Sequence, residues 1–309
     1  MKKRLILLFP LVFMSLIVSC DIASPYIDAI LVKIDEDSEG GGGDADPEVA
    51  KVGNFSAVAT ALDLGVSSSI QLTWDDAVAT DNQTEAVEII IRVKQDTNPT
   101  GPADGEEVYI GSALLSEYIF SDFMIGALYH FGIWTKDASA YISEGQFDSA
   151  SIQIAYYKAS LDAYTDPYQS ASGPIFSPAE LYAGSDGVNL HSYINFPSVD
   201  VENVLQAFFS IGIQSPGNVI AVDIGRISQN WNTSSTFDDL FYGSYVDIGS
   251  WNSDTSPIFM DITTTVEYWK NNSCYGLRLF DNEGEYRAVL NSLQDFVNYP
   301  ELKVYYGSD

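Results

Sequence analysis

Trp231, Tyr242, Tyr245 and Trp251 fall in a stretch from 228 to 257 that is rich in Ser, Asn and Asp. Aromatic faces stack on the C–H-rich surfaces of pyranose rings, and carboxylates and amides accept protons from sugar hydroxyls. The mixture therefore suits a carbohydrate ligand. Packing of the same rings beneath loops is the competing reading. Trp251, in Gly249-Ser250-Trp251-Asn252-Ser253, is the best single candidate for a sugar platform.

Catalytic chemistry is sparse by comparison. The two histidines are His130 and His191, and His130 alternates with Tyr129 and Phe131 so that it faces outward from a strand. No metal-ligand spacing, phosphate loop, Gly-x-Ser-x-Gly elbow or cysteine–histidine pairing is present. A glycosidase needs only two carboxylates at a suitable separation, yet no motif singles out a pair among the 43 Asp and Glu. The chain is read as non-catalytic, with no metal site and no cofactor. Its two cysteines are Cys20 and Cys274. Cys274 precedes the strand-like run Tyr275 to Phe280, where a small, half-buried hydrophobe is the ordinary reading.

The elements that must position these residues are β-strands. The chain has 309 residues, 46% of them hydrophobic and 13% aromatic, a composition tilted towards residues that fit pleated surfaces. After removal of export and tether segments, the length suits two domains. With 14 Lys and Arg against 43 Asp and Glu, the net charge is −29. Nucleic acid is excluded as a partner because phosphate contacts need clustered basic residues. A polyanionic glycan would be repelled, whereas a neutral one is indifferent to the charge.

Met1 to Arg4 is basic, and Leu5 to Val18 is an apolar run of 14 residues interrupted by Pro10. That is shorter than the ~20 residues needed to span a bilayer, so it suits a signal peptide. Leu16-Ile17-Val18-Ser19-Cys20 resembles the lipobox of bacterial lipoproteins, with an aliphatic residue at −3, a small one at −1 and cysteine at +1. The resemblance implies cleavage of residues 1–19 and lipidation of Cys20, which anchors the chain to a bilayer. Loss of Lys2, Lys3 and Arg4 would then take the net charge from −29 to −32. The expected location is the cell envelope, with the outer membrane or cell surface ahead of the periplasmic face. Residues 20–51 contain Asp35-Glu36-Asp37-Ser38-Glu39 and the glycines 40–43, and read as an acidic, Gly-rich tether.

From 52 to 157, three runs alternate: Ile70, Leu72 and Trp74; Val87, Ile89, Ile91 and Val93; Tyr129, Phe131 and Ile133. Turn clusters such as 96–102 and Asp104-Gly105 separate them, as in a β-sandwich. Asn54 to Ala57, Ser69 to Trp74, and Ile125 to Trp134 with Tyr129 as a tyrosine corner resemble the fibronectin type III domain, and Lys136 to Gly145 resembles its closing strand pair. The resemblance implies an Ig-like spacer or interaction module with Trp74 and Trp134 in the core.

From 158 to 309, Leu205, Ala207, Phe209, Ile211 and Ile213 alternate with Gln206, Phe208, Ser210 and Gly212, and only Thr263 to Trp269 looks helical. Leu161 to Tyr164, Leu181 to Gly184, Ser192 to Phe196, Asn230-Trp231 with Ser235 to Phe237, Met260 to Thr263 with Val266 and Trp269, Tyr275 to Leu277, and Pro300 to Tyr306 form an ordered series. The series resembles the DNRLRE-type carbohydrate-binding module, a jelly-roll sandwich. Two positions depart from that pattern: Asn195 stands where the family has arginine, and Phe237 where it has a second tryptophan. Trp231 lies on a motif of the resemblance, which favours packing for it. The whole reads as an all-β protein of two sandwich domains. Its expected role is that of a lipid-anchored protein displaying a module for a neutral glycan, with a structural or adhesive role towards a protein partner as the alternative.

Overall fold

The computed structural model describes residues 48–60, 69–185, 188–215, 221–252, 256–281 and 287–308. Cys20, the apolar run before it and the glycine-rich part of the tether lie outside the described residues. Residues 48–51, read as the end of the tether, belong to the folded structure. Glu48–Val49 pairs in parallel with Gln83–Thr84, Val49 and Ala50 are buried, and the Thr135 hydroxyl donates to the Ala50 carbonyl at 2.5 Å.

Alternating apolar residues build the first lobe from β1 (Gly53–Thr60), β2 (Ser69–Asp75), β3 (Ala86–Gln95), β4 (Glu106–Ser112), β5 (Glu117–Phe120), β6 (Leu128–Asp137) and β7 (Gln146–Lys158). A three-stranded sheet, β1-β2-β5, faces a layer ordered β7-β6-β3-β4. Ile70, Leu72 and Trp74 meet Ile89, Ile91, Val93, Phe131 and Ile133 in one core, which is how two one-sided sheets remove their apolar faces from water. Val87 departs from the expected face and is exposed, because the β3–β6 register shifts between Ala86 and Glu88. The Tyr129 hydroxyl accepts the Met124 backbone N–H at 2.9 Å, closing the chain on itself as a tyrosine corner does. Trp74 and Trp134 are both buried.

The second lobe contains β8 (Leu161–Thr165), β9 (Glu180–Ser185), β10 (Asn189–Asn195), β11 (Val204–Ile211), β12 (Ile213–Ser215), β13 (Ala221–Ile227), β14 (Tyr245–Asn252), β15 (Ile258–Asp261), β16 (Leu277–Phe280), β17 (Arg287–Asn291) and β18 (Glu301–Ser308). Among the described residues its large sheet runs β12-β17-β9-β10-β16-β13-β14, with β8 also on β10. The layer opposite is β15-β11-β18, and β18 continues through β7 into the first lobe as one seven-stranded sheet. Residues 146–151 of β7 pair with β6, and residues 151–158 pair with β18. One long strand thus serves both sandwiches.

Ala207, Phe209 and Ile211 pack against Val222, Ile224, Leu277, Leu279, Leu302 and Val304 in the second core. Leu205 falls out of the expected apolar set and is only half-buried, since the β11–β18 register shifts between Val204 and Gln206. Helix α1 (Phe237–Phe241), absent from the sequence reading, carries a capping box in which Thr236 and Asp239 bond each other's backbone N–H. Helix α2 spans Thr263–Asn271 and buries Thr265, Val266 and Trp269, one turned stripe of an amphipathic helix.

Candidate functional site

Helix α2 packs on β11 with Val266 and Trp269 in the second core, and its position follows from its start. The Asp261 carboxylate accepts the Thr263 N–H at 2.9 Å and the Thr263 hydroxyl at 2.6 Å. That hydroxyl in turn accepts the Ala207 N–H at 2.9 Å, and the Ile262 N–H donates to the Ala207 carbonyl at 2.8 Å. The helix is therefore tied to β11 before its first turn is complete. With Val266 and Trp269 turned inward, Thr264 and Tyr268, four residues apart on one helical face, fall at the margin of the buried stripe.

Strand β13 supplies the opposing wall. Val222 and Ile224 point into the core, and Arg226 continues the same face beyond the reach of the core packing. Its guanidinium carbon lies 3.4 Å from the centre of the Tyr268 ring, a cation–π stack that leaves Tyr268 45% exposed. Two cavities border this stack: one of about 640 Å³ lined by Val246, Asp247, Ile248, Asp261 and Thr263 to Thr265, and one of about 410 Å³ lined by Ile227, Ser228, Asn272, Ser273 and Tyr275. Arg226 and Tyr268 line both. Asp247 accepts the Gly249 N–H at 2.9 Å through Oδ1, so its second oxygen remains to accept a ligand hydroxyl. The groove holds two carboxylates against one guanidinium, an exposed aromatic ring, hydroxyls and an amide. Such a set fits a polyhydroxylated ligand without net negative charge.

The four aromatics expected to form a platform are not brought together. Trp231 is 2% exposed; its indole N–H donates to the Tyr275 carbonyl at 2.7 Å, and it meets Tyr193 edge to face. This burial removes it from any sugar-binding role and agrees with packing beneath a loop. Trp251 sits opposite Val222 across the β13–β14 pair and packs, partly buried, against the second core. Tyr245 stands on the opposite face of the sheet, with Arg278 4.5 Å above its ring and Phe280 at its edge. Tyr242, just after α1, is 74% exposed. Neither tyrosine lines the Arg226–Tyr268 groove.

His191, which drew no separate reading from sequence, lies at the centre of a buried polar cluster. It stacks on Phe241 with ring centres 4.4 Å apart, and Arg278 Nη2 is 2.8 Å from its Nδ1. Burial, followed by the nearby guanidinium, pushes its pKa down to about 3. Tyr193 beside it is pushed up to about 12 by burial, and desolvation lowers Arg278. The arrangement keeps His191 neutral and inert. His130 is half-buried.

Burial also raises Cys274, to about 11, so its thiol is not a nucleophile at neutral pH. A wider bowl of about 800 Å³ lies between residues 170–174 and 233–238, but its aromatics, Phe176 and Phe237, pack inward. Among the described residues no group of three His, Cys, Asp or Glu could hold a metal ion, and no helix is long and apolar enough to cross a membrane.

The sequence signal for the groove was present but faint. Arg226 is one of few basic residues in the second half, and Tyr268 directly precedes Trp269. No protein-family model matches the chain, and no curated protein matches it.

Proposed function

We propose that the chain is an envelope lipoprotein, cut before Cys20 and anchored by lipid there, that displays a non-catalytic surface for a neutral glycan. The observation that carries the glycan reading is the exposed Tyr268 ring, stacked on Arg226 where two cavities meet. Hydrophobic stacking on the ring supplies affinity, and Asp247, Thr264 and Asn272 supply hydrogen-bond partners for hydroxyls. The two carboxylates of the groove and a net charge of −32 after cleavage, from −29 less Lys2, Lys3 and Arg4, disfavour uronic or sulfated sugars. The resemblance of the second half to DNRLRE-type modules points the same way, and the first lobe, which resembles a fibronectin type III domain, acts as spacer.

Two experiments test this reading. Screening the chain on a glycan array should identify neutral ligands, and Tyr268→Ala should lower affinity for them by about tenfold or more, the equivalent of ~1.4 kcal/mol. Unchanged binding in that variant would remove the groove from the mechanism. Labelling of cells with an alkyne fatty acid should tag the wild-type chain and not Cys20→Ala; equal labelling would remove the anchor.

A structural or adhesive role towards a protein partner has one observation of its own. Leu114 is 90% exposed and Ile119 62% exposed, with Leu115 between them at 42%, at the β4–β5 end of the first lobe, and clustered exposed apolar residues mark protein contact sites.

A further inference from the structure

The geometry points to two unequal sugar subsites meeting over the Arg226–Tyr268 stack, so that the ligand is a linear neutral glycan read along at least two linked units. This inference rests on the carbohydrate reading above and adds what the groove recognises. The two cavities share Arg226 and Tyr268 and nothing else. The stacked pair is thus a saddle between them, and a single pyranose on one side leaves the other side unfilled.

The two sides differ in chemistry. The first has an apolar wall, Val246 and Ile248, with the carboxylates of Asp247 and Asp261 and the hydroxyl of Thr264 beside it. Val246 is 46% exposed, so it can meet the C–H face of a sugar whose hydroxyls donate to Asp247. The second side has no carboxylate among its lining residues and offers Ser228, Asn272 and Ser273. Asn272 donates its amide to the Tyr268 carbonyl at 2.9 Å, which fixes the side chain and leaves Oδ1 as an acceptor. An apolar wall with two acids on one side, and an amide and hydroxyls without a carboxylate on the other, distinguish the two ends of a chain, so the glycan binds in one direction.

The test is calorimetric titration of the purified chain with cello-, manno-, xylo- and laminari-oligosaccharides of one to six units. In the series that binds, the dimer should bind about tenfold or more tightly than the single unit, with little gain beyond the length that fills both sides. Asn272→Ala should weaken the dimer by a clearly larger factor than the single unit, and Ser273→Ala, which leaves the helix-end hydrogen bond of Asn272 in place, should act in the same direction. A single unit that binds as tightly as the hexamer, or an Asn272→Ala loss equal for all lengths, would overturn the two-subsite inference while leaving carbohydrate binding intact. No binding in any series would remove the carbohydrate reading and the subsites together.

Discussion

Exchanging His191 for Gln removes one titratable ring from the interior while keeping a side chain able to hydrogen-bond to Arg278. In the wild-type chain His191 is 2% exposed, covered by Phe241 and approached by the Arg278 guanidinium. Its pKa of about 3 lies below the ordinary value near 6.5, so the unfolded chain takes up a proton that the folded chain refuses. The sign follows directly: stability is fully present above about pH 6.5 and is lost as pH falls towards the folded-state value. Each pH unit in that window costs about 1.4 kcal/mol, so moving from about pH 7.5 to about pH 4.5 should cost the wild type ~2–3 kcal/mol more than His191→Gln. Urea unfolding of both proteins, followed by tryptophan fluorescence across that pH range, measures the difference. Subtracting one curve from the other cancels the carboxylates that both proteins share. Equal slopes against pH would refute the neutral, buried state of His191.

The core beneath the groove gives a second test: Trp269 is 4% exposed and packs with Phe196, so Trp269→Ala should destabilise the protein by about 3–5 kcal/mol in chemical unfolding, and a loss under ~1 kcal/mol would contradict its burial. Asp162 is fully buried, and desolvation raises its pKa against the hydrogen bond from the Leu293 N–H; its ionised form therefore costs stability as pH rises from about 4 through the raised value. Asp162→Asn keeps an acceptor for that N–H at 2.7 Å and removes the charge, so melting curves should show it gaining on wild type between about pH 4 and about pH 7. An unchanged difference between the two pH values would show that the carboxyl is solvated in the folded chain.

Periodicity in the sequence located part of the strand set and the face that those strands bury. Ile70, Leu72 and Trp74, or Ala207, Phe209 and Ile211, announce an inward face because strand side chains alternate strictly, and all six are buried. The same local logic located helix α2 to within two residues at its end. It failed where the register shifts, at Val87 and Leu205, because a bulge depends on the partner strand as much as on the residues themselves. It could not place the aromatic-rich stretch, where polar neighbours suggested one exposed platform and packing beneath loops was the competing reading. Whether Trp251 faces sugar or core depends on its pairing with Val222, and whether Trp231 is covered depends on Tyr275, 44 residues away. The groove has the same origin. Arg226, Asp247, Asp261, Tyr268 and Asn272 come from two strands, a strand end, a helix and the residue after it, and no spacing rule connects them. Only antiparallel pairing of β13 with β14, and the docking of α2 on β11 through Ala207, brings those side chains to one surface, because a binding surface is assembled by contacts between segments and leaves little trace within any one of them.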